Sequence, residues 1–115
     1  MPDFPRVAPD FIRDTAPKLA DLTDEVLFGD IWEREGLSKR DRSLLTVAVL
    51  MATGRDTQLE GHLNRALANG VTEEELVEAI THVTFYAGWP AGMTATQLLT
   101  GIRESRSDAP SDAST

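Results

Sequence analysis

The 115-residue sequence contains no cysteine. Disulfides, thiolate metal sites, thiol nucleophiles and thiol–disulfide exchange are thereby excluded for this chain. Aromatic residues are scarce, at 6%, so aliphatic side chains must supply the core. Bases are outnumbered by acids, 11 to 19. The resulting net charge of −8 argues against nucleic acid and against an anionic membrane surface as partners. Long apolar runs are missing too. The longest, Val47 to Ala52, falls far short of the ~20 residues that a membrane span needs. The opening MPDFPRVAPDF holds acids and prolines where a secretory signal has a basic start and an apolar stretch, so the expected setting is the cytoplasm.

What remains, 41% hydrophobic and 26% charged, is the composition of an ordinary globular chain. The length predicts one domain, over residues 1–104. The last stretch, 105–115 (SRSDAPSDAST), is small and polar and predicts a disordered tail. The body reads as helical throughout, giving an all-α domain of five to six helices. Leu19, Leu22, Val26 and Leu27 recur at helical spacing behind Pro17. Ser38 stands ahead of a second helix, Ser38 to about Thr53, that is apolar on every face from Leu44 to Ala52 and is closed by Gly54. A helix without a polar face must be surrounded, and a small domain cannot enclose it alone, so a partner subunit is expected on one side. The third helix, from about Thr57 to Ala68, presents Leu59, Leu63, Ala66 and Leu67, and Asn69-Gly70 ends it. Thr72 and Glu75 form a capping box for the fourth, which buries Leu76, Ile80, Val83 and Ala87. After Gly88, Pro90 opens a final helix with the stripe Ala95, Leu98, Leu99 and Ile102.

Without thiols or a phosphate-binding glycine loop, chemistry falls to histidine, arginine and carboxylates. His62 lies at the edge of its helix's apolar stripe, with Gln58 one turn earlier. A half-buried imidazole can be neutral near pH 7 and so exchange a proton, although a histidine hydrogen-bonded for packing fits the same place. His82 follows Glu78 by four residues, and an exposed Glu–His pair accounts for it. Two histidines on different helices without a paired spacing do not make a metal site. Lys39, Arg40 and Arg42 crowd three cations into a helix's first turn, where the dipole is already positive. Nearby acids such as Asp41 or Glu35 can compensate, or an anionic ligand can sit there, and Arg42 is the member next to the buried run. The corner Phe85-Tyr86-Ala87-Gly88-Trp89-Pro90 is either a packed turn or a pocket in which Gly88 admits a ligand and Tyr86 and Trp89 wall it. Trp32, with Phe28, is a second apolar wall or simply core.

Together the segments FGDIWEREGLSKRDRSLLTVAVLMATGR, QLEGHLNRALANGVTEEELVEAI and FYAGWPAG resemble the carboxymuconolactone decarboxylase family, from Phe28 to about Gln97. The resemblance implies an alkylhydroperoxidase-D-like helical subunit that assembles into homotrimers or homohexamers with pockets near subunit contacts. It implies decarboxylation of 4-carboxymuconolactone, in aromatic catabolism, without a metal or organic cofactor. The family's histidine falls on His62, its arginine on Arg42, and its Tyr-x-Gly-x-Pro corner on Tyr86, Gly88 and Pro90. Relatives carry Cys where this chain has Ala87 and Glu where it has Gln58, and the thiol peroxidases of the sister group need a CxxC pair that is missing here. The expected activity is a lyase acting on a small carboxylated lactone. In it Arg42 holds a carboxylate, His62 moves the proton, Gln58 and Tyr86 donate hydrogen bonds, and Trp32 and Trp89 form apolar walls. An isomerase or cyclase acting on a related enone acid, and a non-catalytic oligomer that binds a small acid, are the alternatives.

Overall fold

The computed structural model describes residues 4–108. Among them are six α-helices, one π-helical segment, one 3-10 turn and no strand, in line with the all-α expectation. The described backbone groups into two compact units, one ending at Lys39 and the other beginning at Arg40.

In the first unit, α1 (Asp10–Thr15) leads into α2 (Pro17–Leu22), which has Pro17 in its first turn, where a missing N–H costs nothing. The chain then widens into a π-helix over Thr23–Phe28 and a 3-10 turn over Ile31–Glu33. Asp24 holds this unit together. Its Oδ1 accepts the backbone N–H groups of Val7 and Ala8 at 2.8 and 2.9 Å, and its Oδ2 pairs with Arg13 at 2.9 Å. Trp32 is buried and stacks on Phe28, with ring centroids 5.8 Å apart. The spacing of Leu19 and Leu22 marked α2 as helical, while α1, which buries no residue, was not foreseen.

The second unit contains α3 (Lys39–Ala52), α4 (Asp56–Ala68), α5 (Glu73–Ala87) and α6 (Trp89–Asp108). Their boundaries follow local chemistry. Gly54 and Gly70, both with positive φ, close α3 and α4. In each case the next residue reaches back across the turn, Arg55 N–H to Leu50 C=O and Val71 N–H to Ala66 C=O, at 2.9 and 3.0 Å. Thr72 and Glu75 exchange both bonds of the capping box expected for α5. One core unites the four helices: Val47 and Met51, Leu59 and Leu63, Leu76 and Ile80, Ala95, Leu99 and Ile102. From Leu44 onward α3 is apolar on nearly every face, and two of its side chains there, Leu45 and Val49, are left 58% and 59% exposed. The disordered tail expected from residue 105 is corrected in part. Residues 105–108 continue α6, because the last turn of a helix needs no apolar side chain of its own, and 109–115 lie outside the described residues. No helix among the described residues is long and apolar enough to cross a membrane.

Candidate active site

α4 turns Leu59, Leu63 and Ala66 into the core, which leaves His62 at the margin, one turn after Leu59 and directly before Leu63. There it is half-buried, with its Nδ1 atom enclosed. Burial lowers the histidine's proton affinity below its ordinary value of 6.5, and the positive charge of Arg65, three residues on, lowers it further. Both effects favour the neutral imidazole over the charged one. Gln58, one turn back, is exposed.

On α3 the crowded cations separate. Lys39 pairs with Glu33 at 2.8 Å. Arg40 pairs with Asp41 at 3.3 Å and with Glu75 of the α5 capping box. Compensation by acids thus accounts for these two: Asp41 serves as expected, with Glu33 and Glu75 in place of Glu35. Arg42 is half-buried, as Arg40 is, and its Nε is enclosed. Its neighbour Ser43, fully buried, accepts a hydrogen bond from Asn69 Nδ2 at 3.0 Å. That bond ties the start of α3, which bears Arg42, to the end of α4, which bears His62. Sequence reasoning missed it, having read Asn69 only as part of a helix stop.

The aromatic corner divides. Gly88 has φ 107°, and an added Cβ would meet only Pro90 Cδ, at 3.8 Å, so backbone conformation explains the glycine. Trp89 and Phe85 meet edge-to-face at 5.9 Å and line a cavity of about 280 Å³ between α5 and α6, together with Thr84, Gly92, Met93 and Thr96. Tyr86 instead faces a cavity of about 390 Å³ between α3 and α5, with Ala48, Val49 and Val83. His82 lies there too, its ring 5.1 Å from that of Tyr86, where sequence spacing had paired it with Glu78. The two supposed walls of one pocket therefore open on opposite sides of α5, and neither cavity is lined by His62 or Arg42. Among the described residues, no group of three or more His, Asp or Glu side chains gathers as metal ligands.

The sequence profile of the carboxymuconolactone decarboxylase family matches residues 17–101. The chain belongs to the carboxymuconolactone decarboxylase family. It is 42% identical over 83 residues to the 4-carboxymuconolactone decarboxylase of Acinetobacter baylyi, a match covering 72% of this chain and 62% of that protein. To the nitrosuccinic acid decarboxylase npaB of Metarhizium robertsii it is 37% identical over 75 residues, 65% of this chain and 52% of the relative. An uncharacterized protein from the nqo9-nqo10 intergenic region of Paracoccus denitrificans is 32% identical over 80 residues, 68% and 60% of the two lengths. The chain thus spans less than two thirds of the length of each of these three relatives. The family match takes in α2 to most of α6, and so includes His62, Arg42 and the aromatic corner.

Proposed function

We propose that this chain is a decarboxylase of a small carboxylated lactone, working in the cytoplasm and drawing on no metal or organic cofactor. The observation that carries the reading is the 42% identity, over 72% of the chain, to a 4-carboxymuconolactone decarboxylase. The second relative's name points to the same chemistry, since a nitro group, like an unsaturated lactone, accepts the electron pair that carbon dioxide leaves behind. Such a substrate supplies its own electron sink, and the protein has only to bind an acid, stabilise an oxyanion and deliver one proton.

In this reading Arg42 holds a substrate carboxylate, as a fixed guanidinium fork suits a planar anion. His62 is a free base in the empty protein because burial and Arg65 both oppose its charge. A bound carboxylate has the opposite effect, so substrate binding draws a proton onto the imidazole. The carbon–carboxylate bond then breaks, its electrons pass into the lactone, and the imidazolium proton replaces carbon dioxide on carbon. Gln58, one turn before His62 on α4, is assigned a hydrogen bond to the developing oxyanion. The exposed α3 face of Leu45 and Val49 supports the further proposal that the working form is a homotrimer or homohexamer.

Carbon dioxide release from 4-carboxymuconolactone tests the reading directly. The purified protein is expected to turn the lactone over, and His62→Ala is expected to lower the rate roughly 10²- to 10⁴-fold, the usual weight of a positioned acid–base group. Saturable lactone binding without carbon dioxide release would assign the protein to small-acid binding instead.

A further inference from the structure

The groove between α3 and α5 is not used by the proposed reaction, yet it has chemical features of its own. Two adjoining cavities, of about 390 and 350 Å³, share Ala48, His82 and Val83 and so form one trough along the two helices. Its floor is small and apolar, because α3 turns Ala48 and Ala52 toward α5, which replies with Val83 and Ala87. Floors built of alanine and valine are flat, and a flat floor suits a planar ring. One edge of the trough is polar. His82 and Tyr86 stand one helical turn apart on α5 with ring centroids 5.1 Å apart, each restraining the other. Tyr86 is 80% exposed, so its ring and hydroxyl are open to a molecule in the trough.

Charge decides which molecule. Among the described residues lining the two cavities there is one acid, Glu78, and neither lysine nor arginine. A carboxylate would lie near Glu78 without a cation to hold it, and is disfavoured. A neutral molecule with a hydroxyl on a flat ring meets every feature. An imidazole nitrogen accepts from the hydroxyl, the tyrosine hydroxyl donates to it, and the ring lies over alanine and valine. We propose that the α3–α5 trough is a binding site for uncharged phenolic or enolic ring compounds, with His82 and Tyr86 holding the hydroxyl. This site is separate from the one assigned to His62 and Arg42, and it stands whether or not the chain decarboxylates a lactone.

The test is a magnetic-resonance titration of the isotope-labelled full chain with phenol, and with benzoate, cyclohexanol and benzylamine as controls. Phenol is expected to shift the His82 and Tyr86 ring signals saturably, with a dissociation constant on the order of millimolar for so few atoms. Benzoate and cyclohexanol are expected to bind more weakly, the first for its charge and the second for its puckered ring. His82→Phe keeps the apolar volume but loses the acceptor, and is expected to weaken phenol binding roughly fivefold. Being exposed, position 82 tolerates the change, and unchanged amide dispersion verifies the fold. Three results would each overturn the assignment: phenol affinity unaltered in His82→Phe, benzoate or benzylamine binding as tightly as phenol, or no saturable shift at His82 because a second copy of the chain fills the trough.

Discussion

His62 and Asp24 are both titratable groups whose proton affinity the fold lowers, by different means and with different consequences. For His62 burial comes first and Arg65 second, and both oppose the charged form. Above 6.5 the folded and unfolded chains both carry a neutral imidazole and the fold loses nothing. As pH falls below 6.5 the unfolded chain takes up its proton first, so stability declines through the window between 6.5 and the lower folded value. Asp24 is lowered chiefly by the Ala8 N–H and then by the Val7 N–H and Arg13, all of which favour the carboxylate and together outweigh burial. Its contribution is complete above 3.8 and is lost as pH falls through the lower folded value. Arg65→Gln removes the Coulombic part of the His62 shift and leaves burial in place. The imidazole titration followed by magnetic resonance is expected to move to higher pH, and a midpoint that stayed or fell would show that the charge of Arg65 does not reach the ring. The placing of His62 was legible in the sequence because it depends on helical spacing alone. The role of Asp24 was not, because its backbone partners lie 16 and 17 residues away.

At the scale of the elements, the crossing of α5 and α6 depends on the lack of one side chain. A Cβ placed on Gly92 would come within 2.2 Å of Thr84 Oγ1 and 2.9 Å of its Cγ2. Thr84 cannot turn away freely, since its hydroxyl donates to the Ile80 carbonyl at 2.7 Å and its side chain is buried. Gly92→Ala is therefore expected to destabilise the protein by roughly 1–3 kcal/mol through overpacking, despite alanine's better helix propensity. Thr84→Ala removes both offending atoms, so in the double variant much of the Gly92→Ala cost is expected to vanish. A double-mutant cycle on denaturation midpoints measures this coupling, and strictly additive costs would place the clash elsewhere. Helix ends such as Thr72 with Glu75, Gly54 and Gly70 were readable because a cap is settled within a few residues. The Thr84–Gly92 contact joins two helices, and Thr84 falls just outside the apolar stripe that predicted Val83 and Ala87 as the buried positions. Spacing also could not show that Tyr86 and Trp89 open on different sides of α5, since the turn at Gly88 decides it.

For the molecule as a whole, the described residues up to Lys39 gather around Asp24, Arg13 and the Trp32–Phe28 stack, while those from Arg40 to Asp108 share the aliphatic core. Net composition is blind to such a division, because both parts draw on the same residue types. On assembly, helical patterning by itself argued from a shortfall: a stretch apolar all round, such as Leu44 to Ala52, is hard to enclose within one small domain. The exposed Leu45 and Val49 are the physical form of that shortfall, for a monomer gains nothing from apolar side chains facing water. If a second copy covers them, Leu45→Glu with Val49→Glu places two carboxylates in an apolar contact where no base awaits them, and dissociation follows. Within one chain the same changes fall on surface positions and are expected to alter stability by only about 0.5 kcal/mol each. Sedimentation should then show the wild-type protein at three or six times the 12.6 kDa chain mass and the double variant near 12.6 kDa, with helical circular dichroism retained in both. A wild-type chain sedimenting at 12.6 kDa would instead mean that α3 keeps an apolar face in water, and that the assembly proposal fails.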